Sequence, residues 1–158
     1  KSFSLIEKII GTDLELFFYK RGFLKSLGSI IDLKFKQKFF FVLVQPPIKC
    51  STREIYSKIK KYSKKTSFLK RKMSKSNYFL NLLSKSKNDL QSVVEKKYPK
   101  IKSILDNIYL QKGCRFSRIT GSGSVCYGLF VDEKFAKKAY KKLKHKYPKF
   151  WISFAKTV

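Results

Sequence analysis

Gly121-Ser122-Gly123-Ser124 has the residue types of an anion cradle. Glycines lack Cβ atoms and accept positive backbone dihedrals, so successive amides can converge on a phosphate. Thr120, Ser122 and Ser124 would add hydroxyl donors, and Arg118 would add charge. The spacing is neither a Walker A loop nor a dinucleotide glycine motif opening a helix. Apolar runs that read as strands flank it, so a tight hairpin and an anion cradle both stay open. Asp13, in "IIGTDLELFF", follows a glycine break. A carboxylate there could accept a proton from a hydroxyl during phosphoryl transfer, or cap a turn through backbone hydrogen bonds.

Ser51 stands three residues before Glu54 in "CSTREIYSKIKKY", the spacing of a capping box, in which each residue satisfies the other's backbone N–H. Ser51 and Thr52 therefore read as a helix start, an exposed position that also suits ligand contact. Cys50, Cys114 and Cys126 form no CxxC pair, consistent with a reducing compartment and no disulfide framework. Cys114 and Cys126 read as small buried residues in or beside strands. His145, in "KKLKHKYP", reads as a surface residue, and no metal-ligating cluster stands out.

The elements that would position these residues follow from periodicity. Leu5, Ile6, Ile9 and Ile10 recur at helical spacing up to Gly11, and "LELFFYKRGFLKSLGSIIDLKF" reads as short strands broken at Gly22 and Gly28. Phe39 to Val44 is a buried strand stopped by Pro46-Pro47. The next helix carries Ile55, Ile59 and Tyr62 on one stripe and runs into a basic loop anchored by Phe68, Leu69 and Met73. Helical spacing returns at Phe79, Leu82 and Leu83, and again at Leu90, Val93 and Val94. After Pro99 it resumes at Ile101, Ile104, Leu105 and Ile108 and ends at Gly113. Strands are expected at Arg115 to Ile119 and Val125 to Val131. A helix capped by Asp132 follows, with Phe135, Ala136, Ala139, Tyr140 and Leu143 facing inward, and "FWISFAKTV" supplies the last strand. From Phe39 on, this order predicts an α+β fold: a ferredoxin-like antiparallel sheet with helices on one face.

The 158 residues suffice for a full hydrophobic core, and 15 Phe and 9 Tyr in organised runs exclude a disordered polycation. The formal charge is +27, with residues 1–35 at +2 and residues 36–158 at +25. This step, together with the abrupt opening "SFSLIEKIIG", suggests that residues 1–35 are the tail of an upstream domain and residues 36–158 a second one. Lysine supplies nearly all the excess, which reads as solvated surface. It also leaves nonspecific binding of anions or nucleic acid open, although arginine is the commoner reader of bases. No apolar run approaches the roughly 20 residues of a transmembrane helix, and no stretch of these residues reads as a cleavable secretion pattern.

Four stretches in order give a sharper reading. "IIGTDLELFF", "VLVQPPIKCSTREIYSKI", "KNDLQSVVEKKYPKI" and "RITGSGSVCYGLF" resemble successive motifs in the C-terminal part of the 4-diphosphocytidyl-2-C-methyl-D-erythritol kinases, members of the GHMP kinase superfamily. The resemblance implies a GHMP kinase C-terminal domain. It implies transfer of the ATP γ-phosphate, assisted by Mg2+, to the C2 hydroxyl of 4-diphosphocytidyl-2-C-methyl-D-erythritol in non-mevalonate isoprenoid synthesis in the cytoplasm. Asp13 aligns with the family's catalytic base, and Thr120, Gly121, Ser122, Gly123 and Ser124 with its late phosphate-facing loop. Ser51, Thr52, Asn88 and Asp89 share its motifs as supporting positions. Glu15 replaces a family proline. The family's catalytic lysine and principal ATP loop lie upstream of the matching region, so these 158 residues alone are expected to be inactive and to need an N-terminal kinase portion. A noncatalytic protein-interaction descendant is a further alternative.

Overall fold

The computed structural model describes residues 22–26, 29–32, 37–63 and 76–157. Asp13, Glu15, the helix expected at Leu5 to Ile10 and the anchors Phe68, Leu69 and Met73 lie outside these residues. The chain divides into two units, one of residues 1–37, 66–83 and 158, the other of residues 38–65 and 84–157. In the first, β1 (Gly22–Ser26) and β2 (Ser29–Asp32) pair antiparallel with Leu24 opposite Ile30. Gly22, expected to break a strand, instead opens β1.

The second unit is built on β3 (Phe40–Gln45), β4 (Cys114–Ile119), β5 (Cys126–Phe130) and β6 (Trp151–Lys156). They form an antiparallel sheet in the order β4-β5-β3-β6. This is the ferredoxin-like arrangement. Its first crossover carries α1 (Thr52–Ser57), α2 (Ser76–Lys85), α3 (Gln91–Lys97) and α4 (Pro99–Tyr109), and its second carries α5 (Glu133–Lys146). Most of α2 falls in the first unit.

Alternation and helical spacing explain how the sheet is covered. Phe40, Val42 and Val44 point to one face of β3 and are buried, because successive strand side chains alternate. Against that face lie Ile55 of α1, Val94 of α3, Ile101, Ile104 and Ile108 of α4, and Ala136, Ala139 and Leu143 of α5, in one continuous core. The helices of this unit thus share one face of the sheet. Asp132 caps α5, its side chain accepting from Phe135 N at 3.1 Å, as its position before the apolar stripe implied. Pro99 takes the first turn of α4, where its missing N–H costs nothing. The first helix is shorter than its spacing suggested: α1 stops at Ser57, Ile59 is half-buried beyond it, and Tyr62 is exposed. Six residues make fewer than two turns, so the stripe runs out before reaching Tyr62.

Candidate functional site

The glycine turn connects β4 directly to β5, so the hairpin reading is correct. Thr120 N donates to Val125 O at 2.9 Å, and Gly123 N donates to Thr120 O at 3.0 Å. Gly121 and Gly123 both have positive φ, +53° and +84°. The surroundings of Gly121 are open, whereas a Cβ on Gly123 would stand 3.3 Å from Cys50 Sγ and 3.5 Å from Val94 Cγ1. Gly123 therefore lets the loop lie directly on α3 and on the chain entering α1. Ser124 is buried.

Side chains from distant segments hold the hairpin in place. Thr52 Oγ1, at the start of α1, lies 2.8 Å from Ser122 Oγ. Asn88 Nδ2 donates to Gly121 O at 2.8 Å and to Ile119 O at 3.1 Å, while Asn88 Oδ1 accepts from Leu90 N at 3.0 Å. Gln91 Oε1 accepts from Ile119 N at 3.3 Å. Sequence reading missed Gln91; its only signal was a polar residue one turn beyond Asn88.

Ser51 and Asp89 support this cluster from its edges. Ser51 Oγ caps α1 by accepting from Glu54 N at 3.4 Å. Asp89 turns to Ser63, accepting from its backbone N at 2.9 Å and from its hydroxyl, and these bonds hold the Asp89 carboxyl below the usual range. Arg118, expected to charge the loop, does not join it. Its guanidinium donates to Ser86 Oγ and Ser84 O and lies over the Phe116 ring at 4.3 Å. It lines an open polar cleft of about 550 Å³ with Lys61, Lys87, Gln91 and Glu95.

Half of the expected capping box is rerouted. The Glu54 carboxylate binds Lys58 at 2.8 Å and Lys97 of α3, and these hydrogen bonds pull its pKa down to about 2. Lys97 is raised in turn, chiefly by Glu54. A depressed carboxylate pKa gives stability that is fully present above its unfolded value, near 4.5, and is lost as pH falls through about 2. The melting temperature of Glu54→Gln should therefore lie below that of the parent at pH 7, and the two should converge as pH falls toward 2. The difference should be small, because the groups are solvent-screened. A gap that persists undiminished at pH 2 would mean that the ion pair does not stabilise the fold.

Burial pushes the Cys114 thiol up to about 11 and that of Cys126 up to about 12, so both are protonated at neutral pH and neither is a ready nucleophile. His145 is exposed on α5. Among the described residues, no group of three or more His, Cys, Asp or Glu could hold a metal ion, and no helix is long and apolar enough to cross a membrane. The side chains that bond the loop directly, Thr52, Asn88 and Gln91, are all neutral.

Residues 69–149 match the family described as GHMP kinases C terminal. The chain is 35% identical over 136 residues to the 4-diphosphocytidyl-2-C-methyl-D-erythritol kinase of Pelagibacter ubique, a match covering 85% of this chain and 47% of that protein. It is 31% identical to the kinase of the same name from Anaplasma phagocytophilum, covering 84% of this chain and 45% of that protein. The chain spans about half the length of the curated relatives it matches. A crystal structure of 4-(cytidine 5'-diphospho)-2C-methyl-D-erythritol kinase superposes with a TM-score of 0.71 at 18% identity, over 98% of this chain and 56% of that one. Homoserine kinase from Cytophaga hutchinsonii superposes with a TM-score of 0.62 at 12% identity, over 87% of this chain and 47% of that one. At these identities the superpositions speak for the fold.

Proposed function

We propose a function from one premise: the chain belongs to the GHMP kinases and carries their C-terminal domain. The protein that contains it transfers a phosphoryl group from ATP to the C2 hydroxyl of 4-diphosphocytidyl-2-C-methyl-D-erythritol, in the cytoplasm, as a step of non-mevalonate isoprenoid synthesis. The observation that carries this reading is the hydrogen-bonded meeting of Thr52, Asn88 and the Gly121-Ser122 turn. Three motifs that resemble the kinases in sequence become one wall, joined by hydrogen bonds between segments far apart in the chain.

In this reading residues 1–35 belong to an N-terminal kinase portion and residues 36–158 to the C-terminal domain. ATP supplies the transferable phosphoryl group, and Mg2+ would come with the nucleotide, since no group of three or more His, Cys, Asp or Glu among the described residues could hold a metal ion. Asp13 takes the proton from the substrate hydroxyl, whose oxygen then bonds to phosphorus as the bond to the leaving diphosphate breaks. Thr120, Gly121, Ser122, Gly123 and Ser124 form the phosphate-facing wall, with Ser51, Thr52, Asn88 and Asp89 behind it. Positioning and charge stabilisation supply most of the rate in such reactions. In the kinases the chain resembles, the principal ATP loop lies upstream of the matching region, so the chain alone should bind no nucleotide stably.

Full-length protein incubated with ATP, Mg2+ and the cytidine diphosphate substrate should release ADP and the 2-phosphorylated product. The purified 158-residue chain should release neither. No product from the folded full-length protein would reject the kinase reading; product from the 158 residues alone would reject their incompleteness. A nucleic-acid role has less support. It rests on the exposed lysines of α5 and on scattered exposed rings such as Tyr56, Tyr109 and Trp151, a pattern that an ordinary solvated surface also gives.

A further inference from the structure

We propose that Asn88 is a positioning residue, one that sets the direction of the Ser122 backbone N–H by fixing the Ile119 and Gly121 carbonyls on the β4 side of the turn. The inference rests on the reading of the turn as a phosphate-facing wall. It deepens that reading by assigning the loop's geometry to a side chain 33 residues away.

An amide side chain offers two N–H donors and one carbonyl acceptor. In Asn88 each end is used: the donors go to Gly121 O and Ile119 O, and the oxygen accepts from Leu90 N. A flipped amide would set its oxygen against two carbonyl oxygens and its NH2 against an N–H, so the network admits one orientation. The Gly121–Ser122 peptide is planar and trans, and its N–H therefore points opposite to its C=O. Pulling Gly121 O onto Asn88 aims Ser122 N–H away from Asn88, toward the outer side of the turn. Thr52 holds the Ser122 hydroxyl from another direction, so backbone and side chain of Ser122 are fixed independently. The second Asn88 bond, to Ile119 O, anchors the end of β4, from which Thr120 N reaches Val125 O across the turn. Gly121 has φ +53°, a region glycine enters readily, so the backbone there needs an outside contact to settle its direction. The ligand class implied is a phosphoryl or diphosphate oxygen, which accepts from an N–H.

Asn88→Asp separates this role from simple packing. Its carboxylate still accepts from Leu90 N but turns an oxygen on the carbonyls of Gly121 and Ile119. Asn88→Ala, which removes all three bonds, is the second variant should the first fail to fold. In full-length protein, kcat for ATP-dependent phosphorylation of the cytidine diphosphate substrate should fall about 10- to 100-fold in Asn88→Asp, the scale of an ångström-sized misplacement, with KM little changed. The amides of Thr120 and Gly123, both bonded within the loop, should exchange hydrogen faster than in the parent. Unchanged exchange at these amides, or unchanged kcat, overturns the positioning role, and an active parent with a wild-type Asn88→Asp does so while leaving the kinase reading intact. If the parent shows no kinase activity, the kinase reading fails by itself and the exchange measurement alone decides whether Asn88 sets the loop.

Discussion

Asp13→Asn in the full-length protein is expected to lower turnover of ATP and 4-diphosphocytidyl-2-C-methyl-D-erythritol by about 10²- to 10⁴-fold, the usual contribution of a positioned general base. Asparagine keeps the size and planarity of the side chain but has no basic oxygen at neutral pH, so the hydroxyl proton has nowhere to go as the new bond to phosphorus forms. Substrate binding should survive, because the hydroxyl can still hydrogen-bond the amide, and the loss should fall on kcat with KM nearly constant. Single-turnover measurements with excess enzyme place the effect on chemistry rather than product release. Glu15→Gln is the companion variant: the resemblance sets Glu15 at a position where the family has a proline rather than a base, so its loss should leave turnover within a few-fold of the parent. Unchanged turnover in Asp13→Asn would reject Asp13 as the base. A loss confined to Glu15→Gln would move that role two residues along the chain.

Gly128→Ala should destabilise the second unit by about 1–3 kcal/mol, the cost of forcing an extra methyl into a packed interior. Gly128 lies in β5, and a Cβ there would stand 2.4 Å from Ile108 Cγ2, 3.2 Å from Cys114 Sγ and 3.3 Å from a Phe130 ring carbon. The first distance cannot be accommodated without moving Ile108, whose side chain is fully buried on α4. Elsewhere in a strand alanine would be slightly favoured over glycine, so a loss here isolates the steric term. Urea denaturation of the parent, Gly128→Ala, Ile108→Ala and the double variant closes a cycle. The cost of Gly128→Ala should largely vanish in the Ile108→Ala background, where the new methyl enters the vacated space. An equal cost in both backgrounds would mean that the helix does not press on the sheet at this point.

Most of the ferredoxin-like unit was legible because its elements announce themselves locally. Phe40, Val42 and Val44 alternate, Ile101, Ile104, Leu105 and Ile108 recur at helical spacing, and Asp132 stands where a cap must. The exceptions share one cause. Tyr62 fits the helical stripe of Ile55, yet α1 ends at Ser57; Gly22 looks like a breaker, yet it begins β1. In each case pairing or packing with distant chain decided how far the element runs, and residue type does not encode that. The Glu54 carboxylate is a similar case: its spacing from Ser51 suggests a capping box, but Lys97 of α3, 43 residues away, competes for it.

By itself the sequence determined the order of strands and helices, the four motifs that resemble the kinases, and the membership of Thr52, Asn88 and the glycine turn in those motifs. It left the turn open between a hairpin and a cradle, and it offered Arg118 as a source of charge for it. Only the tertiary structure decided that the turn is a hairpin and that Arg118 turns elsewhere. Thr52 meets Ser122 across 70 residues, Asn88 meets Gly121 across 33, and Arg118 swings to Ser84 and Ser86 instead. Periodicity reports which face of an element is apolar; it does not report which donor will find which acceptor. Those pairings are set when the sheet closes and brings the start of α1, the entry to α3 and the β4–β5 turn together.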